Sequence, residues 1–206
     1  MARRTKEEAA ATRDSILDAA EKLFVEQGVS RTTLQHIATE AGVTRGAIYW
    51  HFDDKSALFN AMMERVTLPF ECALSSLGKS DAATVLSDIR QFFVEIFRVT
   101  ETNPQARRVL EIASLKVEFI SEMDASRVRR RQSKLELTQQ VVERLQLAQD
   151  AGLIRPEVEP QLVATGLWAL MDGLIRNWMF EPTAFSLIDL GDKMVATMLE
   201  GIRTRP

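Results

Sequence analysis

The stretch from Thr32 to Lys55, TTLQHIATEAGVTRGAIYWHFDDK, constrains this chain more than any other part of it. Leu34, Ile37, Ala38 and Ala41 recur at helical spacing and form one apolar stripe on a first short helix. Gly42 follows where a helix commonly ends, because glycine accepts a left-handed backbone without steric cost. Thr44 then offers an N-cap hydroxyl that can accept a backbone N–H of the following turn. Helix, glycine turn and capped helix within about twenty residues make a helix-turn-helix.

The second helix decides what this pair is for. Ile48 and Phe52 sit four apart and should face the stripe of the first helix, which leaves Gly46 and Trp50 on the opposite side and Arg45 and Tyr49 on the flanks. Large aromatics rarely face solvent without a use. Arg45 is placed where a recognition helix presents side chains to base edges, and arginine is the commonest reader of guanine. Gly46 costs about 1 kcal/mol against alanine in a helix interior, a cost that makes sense if a side chain there would collide with DNA. Tyr49 and His51 can donate to phosphate, and Lys55 adds charge at the start of the next helix. The alternative is a surface helix whose aromatic patch serves protein contact.

These residues resemble the TetR family of bacterial transcriptional repressors. The resemblance rests on Thr33-Leu34, Ile37-Ala38, Ala41-Gly42-Val43, Gly46, Ile48-Tyr49-Trp50-His51-Phe52 and Lys55, preceded by Ile16-Leu17-Asp18-Ala19-Ala20, Phe24 and Gly28. The start RRTKEEA and the run GVTRGAIYWHF look most similar to the AcrR-like regulators of multidrug efflux pumps. The resemblance implies phosphate contacts from Thr33, Tyr49, His51 and Lys55, and base contacts from Arg45 with its neighbours Thr44, Gly46 and Trp50.

Net charge does not advertise a nucleic-acid binder. The 206 residues carry a formal charge of -3, so charge placement has to do what total charge does not. Arg3, Arg4 and Lys6 precede the first helix, whose Glu7 and Glu8 suit the N-terminal dipole; those cations fit either a DNA-reaching arm or a solvated terminus. The single cysteine, Cys72, excludes an intrachain disulfide and fits a reducing cytosol. No apolar run is long enough to span a membrane, and no signal-peptide core follows the N-terminus. A cytoplasmic protein is expected, with 46% apolar residues to build a core.

The rest reads as helix, without alternating β-branched runs bounded by turns. A connecting helix should run from Asp54-Lys55 towards Ser75, with Pro69 inside it as a place to kink or end. Gly78-Lys79-Ser80-Asp81 should break the chain, and Ser80 or Asp81 should cap a helix to about Thr100. Asn103-Pro104 should open another, reaching about Phe119. A long polar-faced helix is expected from Ser121 to Ala151, stopped by Gly152, then a strongly apolar one from Glu159-Pro160 to Phe180 and a last one from about Phe185 to Arg203. The expected fold is all-α: a three-helix helix-turn-helix domain over 1–54, and a helical effector-binding and dimerisation domain over 55–206. The basic run Arg127, Arg129, Arg130, Arg131 and Lys134 lacks interleaved aromatics and reads as a solvated helix face more readily than as a second DNA site.

Leu167, Leu170, Met171, Leu174, Ile175 and Trp178 leave the penultimate helix almost no polar face, so it must be covered on both sides. Gly166 and Gly173, seven apart, would let another helix approach; the last helix carries its own stripe through Leu187, Leu190, Gly191, Met194, Val195, Met198 and Ile202. Such a pair suits a symmetric four-helix interface between two subunits, the alternative being closure of one subunit's own core. Helix-turn-helix readers usually bind palindromic half-sites as dimers.

An aromatic-rich face at Phe92, Phe93, Ile96 and Phe97 and a carboxylate, Asp172, interrupting LWALMDGLI suggest a pocket with one polar anchor. Neutralisation of a buried Asp172 by Arg176 is the plainer alternative. The resemblance implies an effector cavity, and by position Val66, Phe92, Phe93, Ile96, Leu110, Ser114, Val141, Trp168, Met171, Asp172 and Ile175 would surround it. The implied mechanism is a homodimer that binds a pseudo-palindromic duplex operator, blocks transcription of an efflux operon, and is released when an apolar or aromatic ligand displaces the helix beginning at Lys55. A metabolite-sensing repressor or activator, or an architectural DNA-binding protein without ligand response, are the alternatives. Two histidines, one cysteine and no glycine-rich phosphate loop give an enzyme nothing to work with, and no metal or cofactor is expected.

Overall fold

The computed structural model describes residues 6–76, 81–117 and 124–204. Among the described residues there is no strand, only one antiparallel bridge between Ile154 and Arg203, and the fold is all-α as expected. The helices are α1 (Lys6–Gln27), α2 (Leu34–Glu40), α3 (Arg45–His51), α4 (Lys55–Ser76), α5 (Val85–Thr102), α6 (Pro104–Glu111), α7 (Asp124–Asp150), α8 (Pro160–Phe180) and α9 (Leu187–Glu200). A π-helical turn, Ile112–Lys116, follows α6. The chain divides into two compact units, one within Met1–Val66 and Arg108–Arg130, the other within Thr67–Arg107 and Arg131–Pro206.

The first unit is built on α1. Its Ile16, Leu17, Ala20 and Phe24 are buried, as are Ile37 and Ala38 of α2, Ile48 of α3, and Leu58, Phe59 and Met62 of α4. Phe24 meets Phe59 with ring centroids 6.3 Å apart. Around this core Arg65 of α4 reaches three carboxylates of α1: Asp14 at 2.8 Å, Asp18 at 2.6 Å and Glu21 at 3.3 Å. Burial works against the Arg65 charge, but hydrogen bonds to Asp18 and Asp14 outweigh it and hold its pKa above the ordinary value. The resulting staple fixes the face of α1 that α4 covers.

The second unit has its own core, centred on α5 and α9. Phe92, Phe93, Ile96 and Phe97 all point inward. Each fully buried Phe side chain contributes about 1.5–3 kcal/mol relative to an exposed one. Gly191 of α9 is required by that packing, since a Cβ there would come within 2.3 Å of the Phe97 ring. Trp168 of α8 closes the cluster edge-on to Phe92 and Phe93, at 6.0 and 5.2 Å between centroids. Helix α8 starts with Pro160 in its first turn, where a missing N–H costs nothing.

Several boundaries differ from the sequence expectation. α5 begins at Val85, because Asp81 to Thr84 form a turn in which the Asp81 carbonyl accepts the Thr84 N–H at 3.0 Å. α6 gives way to the π turn and then to extended backbone at Val117, earlier than the expected Phe119, which lies outside the described residues. α4, by contrast, runs through Pro69 to Ser76, within a residue of its expected end near Ser75. Ser80, Gly78, Lys79, Ser121 and the arm residues Arg3 and Arg4 also lie outside the described residues. No described helix is long and apolar enough to cross a membrane.

Candidate nucleic-acid interface

The helix-turn-helix is assembled by local chemistry. Thr33 caps α2: its hydroxyl accepts the His36 N–H at 3.2 Å while its own N–H donates to His36 Nδ1 at 3.5 Å. Gly42 turns the chain with a φ of +67°. Thr44 caps α3, its hydroxyl accepting the Ala47 N–H at 3.2 Å. Ile48 and Phe52 face the core, as their spacing required.

The opposite side of α3 is open. Trp50 is 72% exposed and Tyr49 46%, and Thr33, Thr44, Arg45 and Gly46 are also exposed. The Arg45 guanidinium donates to the Tyr49 hydroxyl at 2.9 Å and lies 5.4 Å from the centre of its ring. A Cβ added to Gly46 would meet only the Thr44 hydroxyl oxygen, at 3.8 Å, an ordinary contact. Nothing among the described residues therefore demands glycine at this position. His51 is half-buried, its ring packed edge-on against Trp50 at 4.5 Å. Beside it a cleft of about 330 Å³ is lined by Arg13, His51, Phe52, Asn60 and Arg129, with the Arg13 guanidinium 5.3 Å from the centre of the Phe52 ring. The exposed strip offers an arginine fork, hydroxyl donors and flat aromatic faces, the groups that contact base edges and phosphates.

Lys55 departs from the placement expected of a solvent-facing cation. It is 4% exposed, and its ammonium donates to the carbonyls of Val29 at 3.0 Å, Thr32 at 3.0 Å and Ser30 at 3.5 Å. The periodicity of α4 gave no hint of this, since it takes a carbonyl cluster contributed by a distant loop.

The residues expected around an effector divide between the two units. Phe92, Phe93, Ile96, Val141, Trp168, Met171 and Ile175 form one buried cluster in the second unit. Val66, Leu110 and Ser114 belong to the first; Val66 is buried, Leu110 half-buried and Ser114 exposed. Asp172 is corrected: it is exposed, and its partner is Lys134 of α7 at 2.5 Å, not Arg176. The basic stretch of α7 is similarly engaged with carboxylates, Arg127 with Asp124 and Arg129 with Glu64.

Residues 16–62 match the model of the tetR family of bacterial regulatory proteins, and residues 84–203 match the C-terminal region of MAATS-type transcriptional repressors. The chain belongs to the TetR family. The TetR-family resemblance is full-length: the HTH-type transcriptional regulator TtgR of Pseudomonas putida is 35% identical over 206 residues, covering 100% of this chain and 98% of its own. Among solved structures, NalD, the secondary repressor of the MexAB-OprM multidrug efflux pump in Pseudomonas aeruginosa, superposes with a TM-score of 0.83 at 33% identity, covering 98% of this chain and 100% of its own. A SmeT–triclosan complex superposes with a TM-score of 0.84 at 32% identity, covering 94% of this chain and 92% of its own. SmeT is the repressor of the Stenotrophomonas maltophilia efflux pump SmeDEF.

Proposed function

We propose that this TetR-family protein is a cytoplasmic, dimeric repressor of a multidrug efflux operon, released from a pseudo-palindromic operator by small apolar or aromatic compounds. Residues 1–54 read DNA, and residues 55–206 bind the effector and dimerise. The observation that carries the DNA reading is the open strip on α3: exposed Tyr49 and Trp50 flank a Gly46 for which the fold itself has no need. Arg45 reads a base in the major groove, and Thr33, Tyr49 and His51 hold phosphates.

The likeness to NalD and SmeT supports an efflux operon as the target, and the triclosan bound to SmeT supports an aromatic effector. Phe92, Phe93 and Trp168 supply aromatic walls for it. The polar anchor is Trp168 rather than Asp172: its indole N–H is buried without a hydrogen-bond partner among the described residues. A buried, unmet donor costs about 1–3 kcal/mol, which a ligand acceptor would recover.

Dimerisation uses α8 and α9. Leu162 and Phe180 are 69% and 68% exposed on α8, and Met194 is exposed on α9. A Cβ at Gly173 would meet nothing within 4 Å, so that notch is open to another helix, whereas Gly166 already receives Met198 of the same chain.

Selection of bound sequences from a random duplex pool, repeated with triclosan, tests this function. Enrichment of a pseudo-palindrome whose binding triclosan weakens is the expected result. Failure to enrich any motif, with folded dimeric protein, would overturn it.

A further inference from the structure

We propose that Lys55 is a positioning residue that sets the seat of the DNA reader, and not a phosphate contact; the inference rests on the DNA-binding function proposed above. An ammonium has three N–H donors and no acceptor. Here it faces three carbonyls, those of Val29, Ser30 and Thr32, at 3.0, 3.5 and 3.0 Å. Stripping water from a cation is costly unless such groups replace it. Moving the ammonium to a phosphate would empty this cage, leaving the Ser30 and Thr32 carbonyls to find new donors and the Val29 carbonyl with the Thr32 N–H.

The caged loop is also held from a second side. The Val29 N–H donates to the carbonyl of Lys116, the last residue of the π turn, at 3.4 Å. Turns of this kind occur frequently at functional sites. Within the loop, the Thr32 N–H donates to the Val29 carbonyl at 3.3 Å and the Thr32 hydroxyl to the Gly28 carbonyl at 2.7 Å. Thr33, the N-cap of α2, comes next, and α2 carries α3. Lys55 thus ties the first residue of α4 to the loop from which the helix-turn-helix departs. Its effect falls on where α3 sits, and so on the preference for the right sequence.

The two roles separate by salt. A phosphate-bound lysine releases counterions, so its loss flattens log K against log salt by about 0.9 per contact. A caged lysine releases none. The test compares full-length wild type, Lys55→Met and Lys55→Arg on the duplex enriched by selection and on its scrambled sequence, over a range of salt. Hydrogen exchange of the free proteins accompanies it.

For Lys55→Met the expected results are about 10-fold weaker binding to the selected duplex, in the range of a mismatched base pair, with scrambled binding and the salt slope unchanged. Amides of residues 29–37 exchange faster while those of α8 do not change. Lys55→Arg, which keeps the charge but not the compact three-way donor, fails to restore preference. A slope reduced by about one per subunit, full rescue by Lys55→Arg, or unchanged exchange at residues 29–37 overturns the inference alone. A wild type that prefers no duplex overturns the DNA-binding function and this inference with it. Should Lys55→Met not fold, Lys55→Arg against wild type carries the same comparison.

Discussion

Arg45 and Tyr49, one turn apart on α3, are joined twice: the guanidinium donates to the phenol oxygen at 2.9 Å and lies over the ring at 5.4 Å. Tyr49 therefore holds the side chain proposed to read a base, in addition to its own proposed contact with phosphate.

Replacing Arg45 with Ala should cost about 1–3 kcal/mol in operator binding and relax preference at one base pair of each half-site. Tyr49→Phe, which removes only the hydroxyl, should do part of the same. The double variant should then fall short of the sum, with a coupling of about 0.5–3 kcal/mol. Titrations against singly substituted operators check both points; additive effects would separate Tyr49 from base reading.

The buried Trp168 donor makes a second prediction. Quinoline and naphthalene have nearly the same shape, but only quinoline carries an acceptor. Wild type should bind quinoline more tightly, and Trp168→Phe should bring the two to similar affinity, a loss of about 5–10-fold for quinoline, as one hydrogen bond would give. Calorimetric titration of both compounds reads this. Equal affinities for wild type would leave Trp168 as a wall only.

The exposed apolar positions of α8 make a third. Leu162→Glu combined with Phe180→Glu should yield folded monomers by sedimentation, since a symmetric interface carries each substitution twice and burying unpaired carboxylates is costly. Near-native helicity with a halved mass is the expected outcome; an intact dimer would move the interface elsewhere.

Much of this was legible in the sequence because it is periodic or stereochemical. Ile48 and Phe52 share a face by spacing, Gly42 turns the chain because its φ is positive, and Pro104 and Pro160 start helices because a first turn needs no N–H there. The failures share one cause, which is partnering across the fold. Asp172 interrupts an apolar run, yet it turns outward to Lys134 on another helix. Lys55 reads as a surface cation until the loop at Val29 to Thr32 folds around it. Arg144 gave no signal at all. It is buried and donates to the carbonyls of Gln140, at 2.7 Å, and Leu74, so it serves the last turns of α4 with burial holding its pKa below the ordinary value.

Acid should loosen the α5–α9 pair slightly. Arg90 donates to both oxygens of Asp192, at 2.6 and 2.7 Å, and these bonds hold the Asp192 carboxyl below its ordinary pKa. Its contribution is therefore present at neutral pH and lost as pH falls through the folded-state value. The pair is partly exposed, so less than about 1 kcal/mol is at stake. Arg90→Met should remove that part of the pH dependence, measured as denaturant midpoints between neutral and acid pH; an unchanged profile would assign no stability to the pair.

The most direct measurement is made on Gly46→Ala, comparing thermal stability with operator affinity. The added methyl group has only the Thr44 hydroxyl oxygen near it, at 3.8 Å, and alanine favours helix by up to about 1 kcal/mol over glycine. The variant should be as stable as wild type or more so, yet bind the selected operator at least about tenfold more weakly, as a misfit in the groove would cause. Undiminished operator binding by a stable Gly46→Ala protein would contradict the assignment of this face of α3 to DNA.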